Sequence, residues 1–346
     1  FKQKTAYEIT WKNDVVSEGD ASKQVSTDPS AAADVYMFAS DQLGVLMDAK
    51  AIGQLGTDAE KQVKEQNGDL EVNSVTGTDG KLYGVPYTDN TWFMYYNKSK
   101  ITEDEAKDFD TILSKAKVAF SLQNSWYING FYDGLSLFGE KGNDADAGMV
   151  FPKDGADITS YLVDVVANPN FSNDDGASGL AAIKDGSADV LFSGTWSAKD
   201  VKEALGDNYA ATSLPTFTVN GEKKQMKSFA ATKAAAYNPN AKNPKAAAQF
   251  AAYLGSTEAQ KLHYEMRAIP PTDKSLSDLT TDDVAAKAQS DTMANTALLQ
   301  SGLSGMNDWW TPAETFGKAL VNKEITKDNP AALRDASSRG VSLHFA

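Results

Sequence analysis

Two hydrophobic rhythms alternate along the chain. Short, nearly continuous apolar runs, the pattern of strands buried on both faces, occur at 33–39, 92–96 and 188–192. Residues 7–11 and 209–214 read as further strands, and 78–86 as two short strands joined by a tight Asp79-Gly80 turn. Between them lie stretches with helical spacing: 42–48, the charged amphipathic 102–117, 158–167 and 198–205. The alanine-rich 244–254 carries Pro244 in its first turn, where a missing N–H costs nothing. Ser256 or Thr257 can cap the helix that follows, with Gln260 placed for a capping box on Thr257. The last third, 282–299 and 312–344, reads as mostly helical. Strands alternating with helices predict an α/β fold with largely parallel sheets. At roughly 150 residues per domain, 346 residues predict two domains.

Composition narrows the chemistry. Hydrophobic residues make up 41% of the chain and aromatics 10%, enough to bury a substantial core. The net charge is −14 with no basic cluster, so no nucleic-acid partner is expected. There is no cysteine, hence no disulfide, thiolate metal site or thiol nucleophile. The two histidines, His263 and His344, leave almost no imidazole for zinc or a Ser-His-Asp triad. Neither a metal nor a cofactor is expected. No run approaches 18 consecutive apolar residues, and residues 1–10 lack the basic and apolar regions of a signal peptide.

Paired carboxylates are the first candidate chemistry. Asp133 with Glu140 and Asp174 with Asp175 are the closest pairs, but both sit among Gly, Asn and Ser, the composition of solvated loops. The stretch from Asn143 to Gly148 lacks the spacing and closing Glu of a calcium loop. Tryptophans are more informative. Trp196 follows Ser193-Gly194-Thr195 at the carboxyl end of an expected strand, where open α/β sheets bind ligands. Trp126-Tyr127 follow the polar Gln123-Asn124-Ser125, and Trp309-Trp310 precede Pro312 at an expected helix start. Each could plug a core or a domain interface. Together, flanked by polar residues, they point to a shared aromatic surface suited to sugars, whose apolar C–H faces stack on rings while amides and carboxylates hold their hydroxyls.

At these positions the chain resembles the extracellular solute-binding proteins of ABC sugar transporters, of the maltose/maltodextrin-binding type. The resemblance rests on five elements in order: Asp34-Val35 with Asp41-Gln42-Leu43-Gly44; Gly80-Lys81-Leu82-Tyr83-Gly84-Val85-Pro86 with Tyr95-Tyr96-Asn97-Lys98; Gly186-Ser187-Ala188-Asp189 with Gly194-Thr195-Trp196; Leu214-Pro215; and Ala251-Ala252-Tyr253-Leu254 with Thr257-Glu258-Ala259-Gln260. It implies a two-lobe periplasmic-binding-protein fold (type II) with mixed sheets and a hinge near 88–91, 228–231 and 299–305. One lobe would hold 1–89 and 231–299, the other 90–230 and 300–346. Family members begin with a leader, often ending in a lipid-modified cysteine, then a strand and helix. Residues 1–5 match the end of that helix, so the first sheet is expected to lack a strand and expose an edge.

Carried over position by position, the resemblance implies sugar contacts at Phe38, Asp41 and Gln42, and at Asn90 or its neighbour Asp89. A Glu-Pro-Tyr platform of the family corresponds to Asn124, Ser125, Trp126 and Tyr127, with an amide replacing the carboxylate and Trp126 as the stacking ring. The remaining stacking positions correspond to Trp196 and to Trp310 or Trp309. The implied function is non-catalytic capture of a malto-oligosaccharide by an extracytoplasmic monomer, which delivers it to a membrane permease. The rivals are the same fold with another sugar, a polyamine or ferric ion, and a glycosidase using the same groove. For iron, Tyr95 and Tyr96 are tempting, but neighbouring strand residues face opposite sides.

Overall fold

The computed structural model describes residues 1–139, 142 and 144–328. Glu140, Asn143, His344 and the expected helical stretch beyond 328 lie outside these. Among the described residues thirteen strands occur, in the order β1 (Val35–Ala39), β2 (Val85–Asn90), β3 (Phe93–Asn97), β4 (Val118–Phe120), β5 (Ser136–Leu137), β6 (Met149–Val150), β7 (Phe171–Asn173), β8 (Val190–Ser193), β9 (Tyr209–Thr212), β10 (Thr216–Val219), β11 (Glu222–Gln225), β12 (Ser228–Tyr237) and β13 (Ala297–Leu299). β5 with β6 and β10 with β11 form small hairpins.

The remaining strands build two sheets, both mixed rather than largely parallel. In the first, the ten-residue β12 is the spine: β1 and β2 pair with it antiparallel, and β13 runs parallel to its first three residues. β1 pairs with β12 alone among the described residues, so it lies at an edge. The second sheet has the order β7-β4-β8-β3-β9, parallel across β7, β4 and β8 and antiparallel on both sides of β3.

Packing follows the apolar patterning. Phe38, Leu46, Val63, Val75 and Val85 close one core over the first sheet. The faces of the second sheet feed two others. Trp92, Met94, Phe120 and Phe192 point into a large aromatic core with Phe109, Phe131 and Phe217, while Phe93, Tyr95 and Leu191 face the opposite one. Tyr95 and Tyr96 therefore lie in different cores, as strand alternation requires, and cannot chelate one ion together.

The chain passes between the sheets at three places that touch one another. β2 ends at Asn90 and β3 begins at Phe93; between them, the buried Thr91 shares a 2.6 Å hydroxyl contact with Ser228, the first residue of β12. The Ser228 amide donates to the carbonyl of Thr296, and that of Gln300 donates to Ala230.

Three expectations about single elements are corrected. Residues 7–11 form no strand; Trp11 lays its ring against Phe250 at 4.9 Å instead. Residues 297–299, read as helical, are β13, because three apolar residues next to a free stretch of β12 gain ladder hydrogen bonds there. The last described helix spans Asn307–Val321, so Trp309 and Trp310 lie inside it and Pro312 is internal. The helix Val284–Asn295 sets Ala285 and Ala288 against Phe93, Tyr95 and Leu191 of the second sheet.

Candidate functional site: an indole pair and partnerless polar groups around a shared strand

The start of β12 organises the site. Phe229 meets Trp310 edge-on at 5.9 Å, and the carbonyl of Ala230 holds Gln300. Ala231 pairs with Asn90 and Thr232 with Asp89. The Thr232 amide donates to the hydroxyl of Ser40, the residue before Asp41. Four successive residues thus anchor Trp310, Gln300, Asn90, Asp89 and the neighbour of Asp41.

Trp196 sits in the single turn Thr195–Ser197 that follows β8 and is 50% exposed. Its ring lies over Gly194, where an added Cβ would come within 2.0 Å of the indole, so only glycine admits this rotamer. Trp126 lies 6.0 Å away, tilted by 36°. It belongs to the short helix Ser125–Ile128, capped by Asn124, whose Oδ1 accepts from the Trp126 amide at 2.8 Å. Asn124 is therefore a helix cap whose amide nitrogen has no partner among the described residues. The Trp126 indole N–H donates to Oε1 of Gln300 at 2.8 Å. Trp310 is half-buried, and its indole N–H has no partner among the described residues. The structure thus brings Trp126 and Trp196 together and sets Trp310 on the strand residue next to the one that anchors Gln300.

Three other expected rings belong to cores. Phe38 is fully buried, with its ring against Gly84, where a Cβ would come within 3.0 Å. Tyr127 is stacked on Trp92 at 5.0 Å with Phe120 edge-on, so its faces are covered. Trp309 is 3% exposed, donates its N–H to the Ser125 carbonyl and packs on Phe151. Gln42 is also structural: it accepts from the Ser22 amide and donates to the Glu18 carbonyl, consuming both ends of its amide.

The polar positions divide similarly. Asp41 is the middle residue of the turn Ser40–Gln42 after β1 and is half-buried, with no partner among the described residues beyond its own backbone. Burial pushes its carboxyl up to about 7, against the pull of that backbone N–H. Asn90 has a half-buried amide with no side-chain partner among the described residues. Asp89 is held well above the carboxylate range, first by burial and then by Glu71, with which it shares a hydrogen bond. Its Oδ1 is buried without a partner. Glu71 and Gln300 were not found from sequence. Glu71 lies in an ordinary charged helix, and Gln300 directly follows a stretch read as helical.

The loop carboxylates do other work. Asp133 pairs with Lys227 at 3.0 Å. Asp174 accepts from the amides of Gly176 and Gly179, and Asp175 from those of Ala177 and Ser178, tying down the loop before the helix Ser178–Asp185. No group of three or more metal-ligating side chains occurs among the described residues.

A partly buried indole beside an exposed one, with amides and carboxyls that lack side-chain partners among the described residues, has the chemistry to receive a hydroxyl-rich ligand. A solved structure with acarbose shares 42% identity and a TM-score of 0.93, covering 99% of this chain and 92% of that one. The maltodextrin binding protein MalE1 from L. casei BL23 superposes with a TM-score of 0.83 at 28% identity, covering 94% and 89% of the two chains. A maltooligosaccharide ABC transporter solute-binding lipoprotein of Streptococcus pneumoniae is 28% identical over 319 residues, covering 82% of this chain and 72% of that protein. No described helix is long and apolar enough to cross a membrane. The mixed α/β fold matches these binding proteins, and residues 1–294 match the family as a whole. The chain belongs to the bacterial extracellular solute-binding proteins.

Proposed function

We propose that this chain is the substrate-binding component of an ABC importer. It captures a malto-oligosaccharide between two lobes as an extracytoplasmic monomer and delivers it unaltered to a membrane permease. The observation that carries this reading is the pair of partly buried Trp126 and half-exposed Trp196, fixed where the chain crosses between its two sheets. Both indoles present apolar faces on which pyranose rings can stack, and the names of two relatives specify maltodextrin and maltooligosaccharide. Asp41 and Asn90 supply partnerless polar groups for hydroxyls, with Trp310 as a third ring.

The crossings at Asn90–Phe93, Ser228 and 296–300 support a hinge near the expected positions. The helix Val284–Asn295 is grouped with the second lobe, on whose sheet it packs. Hinge closure that buries a ligand follows from tighter binding to one of two states. Glycoside hydrolysis is not part of this reading. It needs two carboxyls roughly 5–10 Å apart flanking the sugar, and the amides at Asn90 and Asn124 argue against such a pair.

The test mixes maltotriose with the purified chain, follows tryptophan fluorescence and then recovers the sugar. Fluorescence is expected to change saturably and the maltotriose to return intact. Shortened products contradict non-catalytic capture, and an unresponsive, folded protein contradicts the ligand assignment.

A further inference from the structure

Gln300 is nearly buried, at 6% exposure, and its backbone is pinned by the bond from its amide to Ala230. Its side-chain Oε1 accepts the Trp126 indole N–H at 2.8 Å. The Trp126 carbonyl, in turn, accepts from the indole of the fully buried Trp92 at 3.0 Å. The backbone of Trp126 is therefore fixed by the second core, while its ring is aimed by a residue that follows β13 of the first sheet. A partly buried indole without that bond has several staggered rotamers open to it.

We infer that Gln300 is a positioning residue for ligand binding: its carbonyl oxygen selects the Trp126 rotamer that stands against Trp196, so the platform is set before the sugar arrives. The idea rests on the sugar-binding reading above. Preorganisation of this kind raises affinity by removing the ordering cost from the binding step. Because Gln300 is anchored to β12 at one of the crossings, any rotation there also turns the ring, which links platform geometry to hinge position.

The experiment compares the native chain with Gln300→Met, which keeps the length and loses the acceptor, and Gln300→Glu, which keeps an acceptor oxygen. Each is made alone and in a Trp126→Phe background, with circular dichroism as the check on folding. Two quantities are read: the indole N–H resonance of Trp126, assigned by its disappearance in Trp126→Phe, and the affinity for maltopentaose. Gln300→Met is expected to shift that resonance upfield and to weaken binding roughly 3- to 10-fold, the scale of one net hydrogen bond. Gln300→Glu is expected to restore the resonance and most of the affinity. In the Trp126→Phe background Gln300→Met is expected to change affinity less than twofold, which a general structural defect does not reproduce. Unaltered affinity in Gln300→Met, or an equal loss in both backgrounds, overturns the positioning role alone. A native chain that shows the shared indole bond yet binds no maltodextrin overturns the sugar-binding reading, and this role with it.

Discussion

A tryptophan that leaves half its surface in water forgoes most of the burial that makes its side chain valuable to a fold. In Trp196 that surface is available to a ligand, so Trp196→Ala is expected to weaken maltodextrin binding by roughly 1–3 kcal/mol in a titration while leaving the melting temperature nearly unchanged. Asp41 gives a second prediction. Its carboxyl is raised from 3.8 to about 7, so between those values the folded chain holds more protons than the unfolded one. Stability therefore falls as pH rises through that window, and Asp41→Asn is expected to gain roughly 1–3 kcal/mol over the native chain at pH about 8 and little at pH about 4. Sugar hydroxyls donate best to the charged form, so affinity is expected to tighten from pH about 6 to about 8, and Asp41→Asn to lose that slope. Thermal melts and calorimetry across this range check both signs. At this scale sequence was a partial guide. Residue type singled out Trp126 and Trp196, and the family resemblance added Asp41 and Asn90, all of which keep a ring face or a polar group uncovered among the described residues. The same two guides also selected Phe38, Gln42, Tyr127 and Trp309, because nothing in a local pattern says that Gly84 will accept the ring of Phe38 or that Trp92 will cover Tyr127. Gln300 became visible only through its contact with Trp126.

The elements that carry these side chains are short. The Trp196 turn works because Gly194 leaves room beneath the indole in an extended backbone that alanine also adopts, φ −104° and ψ −171°. Gly194→Ala is therefore expected to fold normally, with a stability change under about 1 kcal/mol, since a half-exposed ring can swing away. It is expected to bind maltodextrin about as weakly as Trp196→Ala, which a titration checks. Equal binding by Gly194→Ala and the native chain contradicts the placement of the Trp196 ring. Strands whose apolar runs are stopped by Gly or Pro, such as β8 before Gly194, were legible in the sequence. The partners that decide the remaining cases are distant. Residues 297–299 are a strand only because β12 runs beside them, and 7–11 are not one because no described strand does.

For the whole molecule, the α/β class could be read from alternating rhythms, and the mixed sheets were implied by the family resemblance. Periodicity does not reveal that β3 runs antiparallel to both neighbours. Nor does it show that the helix Val284–Asn295 docks on the second sheet, since its alanines fit either core. The three adjoining crossings support movement of one proposed lobe against the other, so scattering in solution is expected to show a smaller radius of gyration with saturating maltopentaose than without it. An unchanged radius at full occupancy contradicts hinge closure while leaving the binding site standing. The central claim, that these indoles and partnerless polar groups grip a malto-oligosaccharide, is tested most directly by calorimetric titration of the folded chain with maltopentaose. The expected result is a saturable isotherm with one site per chain; the absence of binding heat across a range of temperatures contradicts the claim.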